Sequence, residues 1–279
     1  MRAQTHPARR ASSRYFGWSR LRYFGAVCAS VRPMSTRLSS RGILVAIEGI
    51  DGAGKTTQAS ILESWLTASN LTVVRTKEPT EGPWGRRLRD SASLGRLTLE
   101  EELSAFIEDR RQHVREVIEP ALAAGAVVIV DRYYFSNAAY QGSRGMDPNT
   151  ILSQNESFAP QPDLLVLLDV DPATGIRRIA NRGDVVNLFE REEDLAKCAT
   201  IFSSIDRPYL LRLDGKRSVE EISVVIATVL REQVLFKKMC LKSNKQECEP
   251  EQCIFRLSRE CNYVKMSPPQ FAPLKHRLG

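Results

Sequence analysis

The sequence predicts an α/β fold: a three-layer sandwich in which helices cover both faces of a five-stranded parallel sheet. Three observations carry that prediction. Short runs rich in Val, Ile and Leu recur between residues 42 and 235. Their apolar residues come in succession and do not alternate with polar ones, which suits strands buried on both faces. Longer stretches with apolar residues at helical spacing separate them, and strands alternating with helices close into parallel sheets by right-handed crossovers.

The first run, Ile43–Ile47, leads to an amphipathic stretch, Lys55–Ser69, with Ala59, Leu62 and Leu66 on one face. The second run is Thr72–Arg75. Leu99–Ala124 reads as one long helix through Leu103, Phe106, Ile107, Val114, Val117, Ile118 and Leu122. It feeds the third run, Val127–Val130. The fourth run is Leu164–Leu168, followed by a helical stretch, Leu188–Ile205. The fifth is Tyr209–Leu213, and a last helix covers Val219–Leu235. No internal repeat interrupts the series, so 42–235 reads as one domain.

Both ends differ in composition. Nine arginines, no lysine and no carboxylate lie between Met1 and Arg41; the first acidic residue is Glu48. An Arg- and Ser-rich, acid-free start with interleaved aromatics fits a mitochondrial presequence over residues 1–41. The alternatives are a plain extension, or initiation at Met34, with a cytoplasmic location. Outside this segment the charges nearly cancel, so the basic excess points to no nucleic acid. No apolar stretch approaches the roughly 20 residues of a membrane span. Residues 236–279 hold four of the six cysteines (Cys240, Cys248, Cys253, Cys261). They lack the paired C-x-x-C of structural zinc and read as a loosely ordered extension.

Gly49-Ile50-Asp51-Gly52-Ala53-Gly54-Lys55-Thr56 fits the template G-x-x-x-x-G-K-[ST] in full, between a strand and a helix. This is the P-loop of the NTPases. Its glycines let successive backbone N–H groups turn in around phosphate oxygens, and the helix N-terminus adds partial positive charge. Lys55 reaches the β- and γ-phosphates of ATP or GTP, and Thr56 offers a hydroxyl to Mg²⁺. Asp131, directly after the third run, takes the Walker B role of holding Mg²⁺ through water; a turn-capping aspartate is the alternative. Arg132 beside it sits at the sheet's carboxyl edge, where its planar fork suits a phosphate monoester.

A GTPase would need a base-reading N-K-x-D, which is missing from the sequence. After the fourth run, Gly175-Ile-Arg177-Arg178-Ile-Ala-Asn-Arg182-Gly183-Asp184 reads as a basic, flexible segment that forms a helical lid. Arginines closing over a transferring phosphoryl group supply charge and exclude water. The alternative for Arg177, Arg178 and Arg182 is a solvated helix face.

With these features the chain resembles thymidylate kinases between Gly42 and about Leu235. The motifs are Glu48–Thr57, Lys77-Glu-Pro79, Phe106-Ile-Glu-Asp-Arg110, Asp131-Arg-Tyr-Tyr-Phe-Ser-Asn-Ala-Ala-Tyr-Gln141 and Pro162–Asp169. The resemblance implies transfer of the ATP γ-phosphate to dTMP with Mg²⁺. It places Asp51 near the sugar 3′-hydroxyl and the metal, and Arg132 on the acceptor phosphate. It stacks Phe106 on thymine, points Arg110 at the base O4, and sets Asn137 and Tyr140 near base and sugar. Tyr140 against C2′ would exclude ribose. From periodicity alone Phe106 is as readily a core residue. A loop without a basic residue and a lid with three resembles the bacterial type, in which the lid supplies the catalytic arginine. Arg182, beside Gly183, has the better hinge position, with Arg178 second. The resemblance further implies a homodimer. A neighbouring reading is another nucleoside monophosphate or deoxynucleoside kinase; a remote one is a silent nucleotide-binding regulator.

Overall fold

The computed structural model describes residues 41–181 and 192–235. Strands β1 (Ile43–Glu48), β2 (Val73–Lys77), β3 (Val127–Asp131), β4 (Leu164–Asp169) and β5 (Leu210–Asp214) form one sheet in the order β2-β3-β1-β4-β5. Every adjacent pair is parallel. All residues of β1 and β3 are buried, as a parallel sheet covered on both faces requires. The predicted α/β fold is the observed one. Each strand runs one or two residues past its apolar run, to Glu48, Lys77, Asp131, Asp169 or Asp214. Backbone pairing thus outlasts the core, and a polar row marks the carboxyl edge.

α1 (Lys55–Ala68) follows β1 and packs with α9 (Val219–Val229). Between β2 and β3 come α2 (Pro83–Leu94), α3 (Leu99–His113) and α4 (Glu119–Ala123). Thr98 starts α3 with a capping box shared with Glu101, and Ser218 does the same for α9 with Glu221. The single helix expected over Leu99–Ala124 is in fact broken. A π-helical turn, Val114–Ile118, joins α3 to α4, and the Glu119 N–H reaches the Val114 carbonyl. Pro120 lacks the N–H needed to continue an α-helical ladder, and the wider turn accommodates it. The stretch Val219–Leu235 likewise ends in a π-helical turn, Leu230–Leu235.

Three helices went unforeseen: α2, α5 (Tyr134–Gly142) and α6 (Pro148–Glu156). The last two are only nine residues long, too short for a periodic pattern to stand out. Gly175 to Arg178 lie within α7 (Pro172–Asn181), so this part of the expected helical lid is a regular helix. Arg182, Gly183 and Asp184 lie outside the described residues, as do 1–40, 236–279 and the start of the Leu188–Ile205 stretch, whose helix is seen as α8 (Glu192–Ser204). Among the described residues no helix is long and apolar enough to cross a membrane.

The strand order fixes where a ligand fits. The chain leaves β1 for β2 on one side and returns for β4 on the other. A crevice therefore opens at the carboxyl ends of β1 and β3, where the turns diverge.

Candidate active site

Two cavities meet in that crevice. The smaller, about 230 Å³, is lined by Asp51, Gly52, Gly54, Lys55, Thr56 and Asp131 among others. Gly52 and Gly54 have φ of 80° and 99°, left-handed values that let the loop close before α1. Ile50 and Ala53 are buried in the core, so they offer the cavity backbone only. Lys55 is buried, and its Nζ donates to the carbonyls of Gly49 at 3.0 Å and Ile50 at 2.8 Å. Burial, helped by the nearby Arg132 charge, pushes Lys55 down to about 8, while Asp51 and Asp131 pull it back. The Thr56 hydroxyl donates to Asp131 Oδ2 at 2.5 Å.

The larger cavity, about 260 Å³, is lined by Phe106, Arg110, Ser136, Asn137, Tyr140 and Gln141 among others. Asp51, Glu78 and Arg132 line both cavities. Arg132 pairs with Asp51 Oδ1, and the Tyr140 hydroxyl donates to Asp51 Oδ2 at 2.8 Å. The guanidinium carbon of Arg132 also lies 5.5 Å from the centre of the Tyr140 ring. Burial beside Asp51 holds the Tyr140 phenol well above its ordinary range, so it stays a donor.

Phe106 is only half-buried and faces this cavity, which removes the core reading left open by its periodicity. Arg110 is the reverse case, 1% exposed. It donates to Asn137 Oδ1 at 2.5 Å and Asn155 Oδ1 at 2.6 Å, and pairs with Glu78 Oε2. Its Nε is buried and makes no hydrogen bond. Burial alone would raise Glu78, but Arg110 and His113 more than offset it and hold the carboxyl below its usual range. An ionised Glu78 only accepts, so His113 Nδ1, 2.9 Å from Oε1, carries the proton. Its Nε2 lies 2.8 Å from Thr76 Oγ1, within hydrogen-bond distance.

The candidate residues thus assemble at one place, apart from the lid. Arg178 donates to the carbonyls of Gly52 at 3.4 Å and Gly215 at 2.9 Å, on the phosphate-loop side. Arg177 turns back to Thr174 Oγ1 at 3.2 Å. Two carboxylates quoted only as motif letters, Glu48 and Glu78, prove central. Burial raises Glu48 to about 6. For Glu48 the available signal was a carboxylate directly after an apolar run, at the carboxyl edge of the sheet.

The thymidylate kinase family model matches residues 47–226. The chain is 47% identical over 197 residues to a thymidylate kinase of Akkermansia muciniphila, spanning 71% of this chain and 95% of that one. It is 52% identical over 189 residues to a thymidylate kinase of Xanthomonas euvesicatoria pv. vesicatoria, covering 68% and 83% respectively. A thymidylate kinase of Xanthomonas oryzae pv. oryzae is 51% identical over 189 residues, with the same coverage.

Proposed function

The chain belongs to the thymidylate kinase family, and we propose that its two cavities hold ATP and dTMP on either side of Asp51 and Arg132. The reaction is ATP-dependent phosphorylation of dTMP to dTDP, on the route to dTTP. One observation carries the site assignment: the Asp51–Arg132 pair lines both cavities, so a phosphoryl group passing between them meets both side chains.

In this reading the ATP phosphates enter the smaller cavity, and Lys55 exchanges its bonds to the Gly49 and Ile50 carbonyls for β- and γ-phosphate oxygens. Thr56 and Asp131 would hold Mg²⁺, since a hydroxyl and a carboxylate oxygen side by side suit a hard cation. Among the described residues no cluster of three acidic, His or Cys ligands occurs, and an ion shared with substrate phosphates needs none. Held there, Mg²⁺ would neutralise the charge that develops on the β- and γ-phosphate oxygens during transfer.

On the acceptor side Phe106 stacks on the thymine, and Arg110 and Asn137 face its polar edge. Tyr140 closes the space at C2′, and Arg132 binds the monophosphate. Asp51 shares its carboxylate between Arg132 and Tyr140, fixing phosphate and sugar contacts relative to each other. Phosphoryl transfer asks little covalent work of the protein, so this positioning is the main contribution of the chain. Arg178 sits where it can accompany the donor, with Arg182 supplying further lid charge. A homodimer and a mitochondrial address in residues 1–41 complete the reading; the address rests on the arginines and missing carboxylates of that segment.

The test is an ADP-release assay across dTMP, dUMP, UMP, CMP and thymidine. dTMP is the expected best acceptor, and Lys55→Ala should lower its turnover by about a hundredfold or more. A preference for UMP or CMP would move the chain to a neighbouring kinase class. Activity of Lys55→Ala within about threefold of the parent would overturn the donor site.

A further inference from the structure

Arg132 has a φ of 67°, one of only two non-glycine residues with positive φ among those described. Side chains with a Cβ adopt the left-handed region only when their surroundings impose it, and such residues gather at functional sites. The surroundings here are two neighbours on β1. The Arg132 N–H donates to the Ile47 carbonyl at 3.0 Å. The next N–H, of Tyr133, donates to the side chain of the next residue, Glu48 Oε1, at 2.7 Å.

Glu48 is fully buried at the end of β1 and takes two further bonds. Oε1 accepts from the Ser136 N–H at 3.0 Å, and Oε2 accepts from the Ser136 hydroxyl at 2.6 Å. That hydroxyl oxygen in turn accepts from Arg132 Nη1 at 3.4 Å. A single carboxylate therefore reaches the Arg132 turn through the backbone and the Arg132 guanidinium through Ser136. It also caps the first turn of α5, the helix carrying Asn137 and Tyr140.

We propose that Glu48 is a positioning residue for the transfer: its carboxylate holds Arg132 in the left-handed turn that presents the guanidinium to the acceptor phosphate. The inference rests on Arg132 binding that phosphate. Glu48 is absent from the lining of both cavities. It acts by removing alternative Arg132 conformations before dTMP arrives, so the ordering is already in place when the phosphate binds.

The experiment compares Glu48→Ala, Glu48→Gln and Arg132→Ala in the full chain. It reads KM for dTMP, KM for ATP, competitive inhibition by thymidine, and thermal unfolding. Thymidine carries the base and sugar but no phosphate, so it probes the cavity without Arg132. Glu48→Ala should raise the dTMP KM about tenfold or more, leaving the ATP KM and thymidine inhibition within about twofold. Glu48→Gln keeps an oxygen acceptor for the two N–H groups and should recover most of the loss. Glu48→Ala should add little to the defect of Arg132→Ala, because both act through one side chain.

Equal weakening of dTMP and thymidine, or additive losses in the double variant, would overturn the proposal. So would a normal Glu48→Ala beside a defective Arg132→Ala, which leaves the acceptor site itself intact. An Arg132→Ala with unchanged dTMP KM removes the acceptor reading and this inference together. Should the alanine variant not fold, Glu48→Asp withdraws the carboxylate by one methylene. It should raise the dTMP KM with the same indifference of thymidine, and an unchanged KM overturns the proposal there too.

Discussion

Gly175 of α7 rests directly on Gly52 of the phosphate loop. A Cβ on Gly52 would come within 2.3 Å of the Gly175 carbonyl oxygen, and one on Gly175 within 2.5 Å of the Asp51 carbonyl oxygen. Both obstacles are backbone atoms, which cannot swing aside as a side chain would. Two absent side chains thus let α7 lie directly on the glycine-rich loop after β1.

This contact reverses an ordinary expectation. In an exposed helix Gly→Ala stabilises by up to about 1 kcal/mol. Gly175→Ala should instead lower the melting temperature and reduce kcat by about tenfold to a hundredfold, because the loop and α7 must separate. A variant that melts higher and turns over normally would show that the two elements give way freely.

Phe106 and Arg110 share a face of α3 yet should fail differently. Phe106→Ala removes a half-buried ring from the cavity wall, so the dTMP KM should rise by an amount worth about 1–3 kcal/mol of lost stacking. Its melting temperature and ATP KM should hardly change, since it lies outside the buried core. A large fall in melting temperature with normal dTMP affinity would return Phe106 to the core.

Glu78 supplies the acid dependence. Its carboxyl sits below its ordinary value of 4.5 in the folded chain, so it contributes stability above that pH and loses it as pH falls through the folded value. Glu78→Gln leaves the buried Arg110 charge without its counter-ion, at a cost of about 3–5 kcal/mol. Denaturant unfolding should show that cost at neutral pH, shrinking as pH falls below about 4.5 and toward the lower folded value, where the folded parent becomes protonated too. A gap that stays constant with pH would mean that Glu78 is neutral in the parent.

The leader makes a separate prediction. Residues 1–41 fused to a reporter should carry it into mitochondria, and imaging decides the outcome. A diffuse cytosolic reporter would leave the arginines without a targeting role.

The fold was legible because the apolar runs are a local signal: the central strands β1, β3 and β4 are almost wholly apolar, and the P-loop lies in consecutive residues between a strand and a helix. Lys55, Thr56 and Asp131 could be named from spacing alone for the same reason. Phe106 could not be assigned to cavity or core, because periodicity places it on a helix face without saying what that face meets.

What the sequence determined by itself was the parallel α/β architecture, the phosphate loop and the residue types able to handle a phosphoryl group. The tertiary structure alone decided the partners. Glu48 meets Ser136 across 88 positions, Tyr140 meets Asp51 across 89, and Gly175 meets Gly52 only once α7 folds back. Sequence patterns record which face a residue is on, since backbone periodicity is local. Which side chains then face each other is set by strand order and helix packing, and those depend on the whole chain at once.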